Sequence, residues 1–286
     1  MTDAPSLLLI WDFDSAIGQV NATYPYNFHE EVLFEETQSV DRLLALSGSA
    51  GVRMTFACVG FAAEPGVFPY HVPDQIRRIR AAGHEIASHS WRHEWFPFLE
   101  REQVRRSLDR SKAALEKCLG EPGAVRGFVP PFSRPMTWYR KGAVSLGDRA
   151  MNPLRAAADI TSLCRALRTS GYAWCRVAYR SLTQRLTGRK VRPLLGARAE
   201  RCAGIACISQ HHTGFDAQAL ALLDQAISRG RSVVINGHPS GLTRGGAEDF
   251  SALHPFLERV AELQIAGRIR TRTVSEHLEL ERGGPQ

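Results

Sequence analysis

The sequence predicts an α/β protein built on a parallel sheet or barrel, and three observations predict it. Apolar strand-like runs alternate with helical patterns, the order that strand–helix–strand units leave in a chain. Two of the runs, Leu7-Leu8-Leu9-Ile10-Trp11 and Val233-Val234-Ile235, are apolar on both faces, as strands covered on both sides are. Polar residues then collect directly after strands: Asp12 and Asp14, His89 and His93, Pro131 and Phe132, and His238. In barrels the chemistry sits on loops at the carboxyl ends of strands, so these clusters are expected on one rim.

Taken in order, Leu7 to Trp11 reads as a short buried strand and Gln38 to Leu46 as a helix. Gly51 punctuates the entry to a second strand at Val52 to Val59. Asp74 to Ala82 reads as a helix, with Gly83 as its C-terminal stop, and His84 to Ser88 as a third strand. Arg101 to Leu119 is a long charged amphipathic helix stopped by Gly120 and Pro122. Val125 to Phe128 is a fourth strand, broken by Pro130-Pro131. Thr137 to Ala203 has no clean strand–helix alternation. Beyond it, Ala217 to Arg229 and Phe250 to Leu263 read as helices, and Ser232 to Asn236 and Ile269 to Thr273 as strands.

The chain has 286 residues, 44% of them hydrophobic and 23% charged, which suits a globular protein with a full-sized core. No linker, low-complexity tract or internal repeat divides it, so a single domain over 1–286 is expected. The only early apolar run is too short for a signal core, and no stretch is long enough to span a bilayer, which predicts a cytoplasmic protein. The six cysteines form no C-x-x-C pair and are expected as reduced, mostly buried thiols. The net charge is +7, and much of the excess lies between Ile160 and Ala199, which hold no Asp or Glu.

Asp12-Phe13-Asp14 follows an apolar strand. Alternation along an extended chain puts both carboxylates on one side, where they repel unless a cation shares them. A divalent metal could take one as a ligand and leave the other as a base; a helix cap or turn aspartate is the other reading. His89 and His93 stand at i and i+4, a spacing that stacks two imidazoles on one helical turn and lets both reach one metal. Two histidines and a carboxylate leave coordination positions open for water and substrate. His238, between Gly237 and Pro239 just past a strand, suits general acid work near neutral pH.

In this order and spacing the pieces resemble the NodB homology domain of polysaccharide deacetylases, carbohydrate esterase family 4. Asp12-Phe13-Asp14 resembles the first motif, usually T-F-D-D. His89-Ser90-Trp91-Arg92-His93, led in by Gly83-His84-Glu85-Ile86-Ala87-Ser88, matches the second, H-[ST]-x-x-H. Phe128-Val129-Pro130-Pro131-Phe132 resembles F-R-P-P-Y, and Asn236-Gly237-His238-Pro239 the late histidine motif. The resemblance runs from about Leu7 to Leu278. It implies a distorted (β/α) barrel with about seven parallel strands, plus a basic helical insertion around 150–200. It implies one divalent metal on Asp14, His89 and His93: zinc first, with Co2+, Ni2+, Mn2+ or Fe2+ fitting the same ligands. Asp12 would be the general base, His238 the general acid, and the Phe132 N–H an oxyanion donor, with Pro131, Trp91 and Arg134 beside the substrate. The implied reaction is removal of an acetyl group from an N-acetylated sugar (polysaccharide, lipid-linked or nucleotide-linked) in bacterial cell-surface glycan biosynthesis. Val129 departs from the pattern, since it stands where the family has an arginine that orients the base; Arg126 or Arg134 would have to substitute. His84 is expected to be structural.

On the substrate side, Tyr24, Tyr26 and Phe28 could stack on sugar rings or pack in the core. Ile160, Leu163, Leu167, Trp174, Ala178, Leu182 and Leu186 recur near helical spacing with arginines between them. That pattern reads either as a helix packed on the barrel or as peripheral membrane contact through 160–199 at the inner face of the membrane. The second reading implies a phosphate-bearing substrate. No nucleic-acid motif accompanies the charge. The alternatives are an amidase or deformylase on a small non-sugar amide, and a catalytically inactive glycan-binding relative.

Overall fold

A computed structural model describes residues 4–22, 29–96, 99–133, 160–177 and 200–283. In chain order its elements are β1 (Ser6–Phe13), α1 (Ser15–Ala22), α2 (Glu31–Ser49), β2 (Thr55–Cys58), α3 (Pro73–Ala81), β3 (Glu85–Ser88), α4 (Arg101–Leu119), β4 (Gly127–Phe128), α5 (Ile160–Thr169), β5 (Trp174–Val177), β6 (Glu200–Cys202), β7 (Ile205–Ser209), β8 (His212–Thr213), α6 (Ala217–Ser228), β9 (Val233–Gly237), α7 (Phe250–Ile265), β10 (Arg270–Thr271) and α8 (Val274–Gly283). The strands form one sheet in the order β6-β7-β5-β4-β3-β2-β1-β9-β8, with β10 added on β1. Every pairing is parallel except the β6–β7 hairpin. The sheet curls into a half-barrel with helices outside, the distorted (β/α) barrel expected.

The burial of β1 on both faces follows from its place at the centre of the sheet. Its even residues Leu8 and Ile10 face the barrel interior, with Ala57, Ala87, Val129, Trp174, Ala206, Ile208 and Val234. Its odd residues Leu7, Leu9 and Trp11 join the larger core under the helices. The interior is narrow, so small side chains alternate with large ones. A Cβ on Gly127 would stand 1.9 Å from the Trp174 ring, which therefore fills the space that Gly127 leaves. The floor is closed by Val274 and Leu278 of α8. Glu85 binds that floor to the barrel by accepting from Thr55 Oγ1 at 3.0 Å, Ser275 N at 3.1 Å and Trp174 Nε1 at 3.2 Å. His84 is buried and accepts the Met54 N–H at Nδ1, 3.2 Å away.

Helix ends follow the local chemistry. A Glu100–Gln103 capping box starts α4 and left-handed Gly120 stops it. Asp216 caps α6 by accepting from the backbone of Gln218 and Ala219.

The structure differs from the sequence expectation in the middle of the chain. The apolar spacing from Ile160 does not continue as one helix. Gly171, at φ +76°, ends the turn after α5, and Trp174-Cys175-Arg176-Val177 is a buried parallel strand. The apolar face of α5 (Leu163, Cys164 and Leu167) is buried in the core, and Trp174 fills the barrel, so these residues are packed and not offered to a membrane. The rest of the proposed insertion and membrane-contact segment, 150–159 and 178–199, lies outside the described residues, as do Tyr24, Tyr26, Phe28 and Arg134. Among the described residues, no helix is long and apolar enough to cross a membrane. All six cysteines are free.

Candidate functional site

The carboxyl ends of β1, β3, β4, β5 and β9 meet at one rim, and the expected residues meet there with them. Asp14 follows β1 directly. His89 follows β3 and places Nε2 3.3 Å from Asp14 Oδ1, while His93 places Nε2 3.4 Å from the same oxygen. One ligand atom from each of the three lies within 4.8 Å of the others, and all three residues are buried. The histidines do not converge by stacking on a helical turn. A non-helical turn brings them together, with Ser90 at φ +70° and His93 at φ +61°.

The donor set fits a cation. His89 Nδ1 is 2.7 Å from the Val129 carbonyl. A carbonyl only accepts, so Nδ1 carries the hydrogen and Nε2 of the neutral ring is a bare lone pair facing a carboxylate. Asp14 Oδ1 is buried and takes no hydrogen bond. Burial pushes the Asp14 carboxyl up, but the His93 and His89 imidazoles beside it outweigh burial and hold the group well below the usual carboxylate range. An anionic oxygen between two imidazole nitrogens is what a divalent metal resolves.

Asp12 extends the interior row of β1 past Leu8 and Ile10. It meets Arg176 of β5, whose Nη1 and Nη2 lie 2.8 and 2.7 Å from its two oxygens; both side chains are almost fully buried. Arg176 also donates to Asn236 Oδ1 on β9. Asp12 thus has a buried cation beside it although Val129 offers none, and that cation stands on a strand that the sequence did not reveal. Arg126 does not substitute, because it pairs with Glu279 at 2.5 Å away from the site.

His238 completes the group. Its Nε2 is 3.7 Å from Asp12 Oδ2, and its Nδ1 is 2.7 Å from Glu248 Oε2. Burial pulls its pKa down, but the Glu248 hydrogen bond and the charges of Asp12, Glu248 and Asp14 push it up to about 9. The side chain is 33% exposed, so solvent screening softens this shift.

Behind Asp14 lies Glu36, a carboxyl on the apolar stripe Leu33–Val40–Leu43 of α2. It accepts the Asp14 N–H at 3.3 Å and Gln19 Nε2 at 2.9 Å. Burial, then the charge of Asp14, pushes it up to about 8. Gly18 of α1 packs so close that a Cβ there would stand 2.8 Å from Asp14 Cβ.

Of the other expected residues, Pro131 is buried at the rim. The Phe132 ring packs on His93 (centroids 4.6 Å) and Trp95 (5.5 Å), and its backbone is left-handed at φ +63°. Trp91 is not brought to the site. It is 5% exposed in the outer core, under the Arg110 guanidinium and against Phe61, because the turn that points both histidines inward points the residue between them outward. Two histidines not among those expected residues, His211 and His212, are held by Val234 N and Asp216.

Sequence comparison meets this geometry at the second motif. The model of the polysaccharide deacetylase family matches residues 27–151, which include His89, His93, Pro131 and Phe132. Over that segment the chain is similar to the polysaccharide deacetylases. The match does not reach Asp12, Asp14, Arg176 or His238, and the fold alone brings those to the histidines. No curated protein matches the sequence. Solved structures with the same deacetylase fold include a candidate polysaccharide deacetylase from Mycobacterium smegmatis, at 17% identity and TM-score 0.61, covering 100% of this chain and 94% of that one. Puue allantoinase is similar at 15% identity and TM-score 0.63, covering 99% and 91%. A CE4 family pseudoenzyme from Bacillus anthracis is similar at 13% identity and TM-score 0.51, covering 97% and 66%. At these identities the likeness is one of fold.

Proposed function

We propose that the protein is a metal-dependent hydrolase that removes the acetyl group from the nitrogen of an N-acetylated sugar used in bacterial cell-surface glycan assembly. The observation that carries this reading is the placement of two opposite proton carriers, Asp12 and His238, beside the Asp14, His89 and His93 set.

Asp14, His89 and His93 would hold one divalent ion, zinc first. Such an ion, when bound, supplies a Lewis acid that polarises an acyl oxygen and acidifies water. Asp12, fixed by Arg176 and unable to rotate, takes the proton from the attacking water. The Phe132 N–H, turned by its left-handed backbone, is the donor offered to the developing oxyanion. His238, kept protonated by Glu248, gives its proton to the departing nitrogen, so acetate and a free amine leave. The reading as an inactive relative loses its main support, because Arg176 covers the missing arginine. The fold is as close to an allantoinase as to a deacetylase, which keeps a small-amide substrate as the outcome to test against.

The test is acetate release by purified protein from nucleotide-linked, lipid-linked and oligomeric N-acetylhexosamines, with and without zinc, beside Asp12→Asn. Zinc-dependent release lost in Asp12→Asn supports the reading. No release from any of the three, with metal bound, overturns it in favour of a small amide or of binding alone.

A further inference from the structure

Arg244 stands on the loop between His238 and Glu248. It is exposed, and its one side-chain hydrogen bond among the described residues is from Nη2 to Gln19 Oε1, 3.1 Å away. Gln19 is 7% exposed and is held in turn by Glu36, the residue that accepts the Asp14 N–H. Two side chains therefore tie this guanidinium to the wall of the candidate metal site.

Arg53, Arg78, Arg80, Arg105, Arg126 and Arg259 each find a carboxylate within 4 Å. Arg244 does not, although acids surround it. Glu248 is taken by His238. Asp249 is taken by the Gly245 and Ser251 N–H groups. Glu35 lies by the Thr243 hydroxyl, 3.4 Å away. The neutral Gln19 amide, and no acid, sets the position of the charge. Beside it, Gly245 (φ +76°) and Gly246 (φ +82°) leave open space, since a Cβ on either would meet nothing within 4 Å. An arginine has five N–H donors in a planar fork, so four remain for a second partner. A carboxylate or a phosphate is the group that such a fork binds in pairs.

We propose that Arg244 is a specificity-determining residue that binds an anionic group, carboxylate or phosphate, carried by the substrate next to its N-acetyl group. This deepens the deacetylase reading and rests on it for the identity of the substrate. It also moves the expectation of a charged substrate from the basic segment 160–199 to one placed residue.

The test has two arms. In the first, zinc-loaded protein is labelled with phenylglyoxal, and the adduct at Arg244 is mapped by mass spectrometry against the exposed Arg101. N-acetylglucosamine 6-phosphate, N-acetylmuramic acid and N-acetylglucosamine are compared as protectants. In the second, the KM for acetate release is measured for the same compounds with Arg244→Gln and Arg244→Lys. Protection by an anionic sugar and not by the neutral one is expected, and which anion protects separates phosphate from carboxylate. Arg244→Gln should raise KM for the protecting sugar about ten- to a hundred-fold with kcat little changed, and Arg244→Lys should recover part of it. Equal labelling with all three sugars overturns the proposal, whatever the acetate assay gives. Protection without acetate release keeps the anion site and overturns the deacetylase reading instead.

Discussion

Arg176 and Asp12 face each other across the mouth of the barrel, with one guanidinium nitrogen on each carboxylate oxygen at 2.8 and 2.7 Å. They come from strands that are not neighbours in the sheet and are 164 residues apart in sequence. Removing one member of such a buried pair leaves the other charge without compensation. Arg176→Ala should therefore destabilise the fold by about 3–5 kcal/mol in chemical denaturation. Arg176→Lys keeps the charge but not the fork, and should retain more stability while lowering kcat/KM about ten- to a hundred-fold. Full activity in Arg176→Lys would mean that Asp12 needs only a charge and not a fixed orientation.

Glu248 holds the proton on His238. The imidazole works as an acid only when protonated, so activity should be present below its pKa and fall as pH rises through about 9. Glu248→Gln removes the largest interaction that raises this pKa, and the alkaline limb of the kcat/KM profile should move to lower pH. An unmoved limb would assign the acid role to another group.

Gly18 has no room for a side chain. Gly18→Ala should displace Asp14 and weaken zinc binding, measured by chelator competition, about ten- to a hundred-fold. The reading fails if affinity is unchanged in a variant that melts normally.

His84 is buried, and burial, then the charge of Arg53, lowers its pKa to about 4. The unfolded chain binds this proton near pH 6.5 while the fold refuses it until about 4. The neutral ring thus supports stability fully above pH 6.5, and that support fades as pH falls between the two values, by up to about 1.4 kcal/mol per pH unit. His84→Gln, which keeps an amide acceptor, should flatten that part of the acid denaturation curve.

The strands with two apolar faces and the residues just past them were legible in the sequence, because a parallel strand repeats nothing but burial and a loop after it repeats nothing but polarity. β1, β9 and the residues at their ends follow from that contrast, and β3, which is Glu-Ile-Ala-Ser, from the helix stop at Gly83 before it. β5 was not legible. Its four residues, Trp174 to Val177, continue the apolar spacing of α5 closely enough to pass for another helical turn, and the arginine among them looks like the solvated residue of such a turn. A period-two reading, with Trp174 and Arg176 on one face, is the only signal that separates the two. Glu36 carried a clearer mark, as a single acid on the buried stripe of α2. Glu248 carried none, since its partner is set by a loop that no local pattern describes.

Ser15, Ser90, His93 and Phe132 are all left-handed without being glycine, at φ values of 54°, 70°, 61° and 63°. Each costs about 1–2 kcal/mol relative to an ordinary conformation, and all four border the candidate metal site. Ala203, in the β6–β7 hairpin at φ 49°, is left-handed too, so most of this tension, though not all, lies at the rim. Selection for heat resistance alone would relax that rim first, by admitting glycine or asparagine at Ser15 and Ser90. The relaxed protein would melt later and hold its candidate metal ligands less firmly, so thermal tolerance and the order of the site trade against each other at these positions.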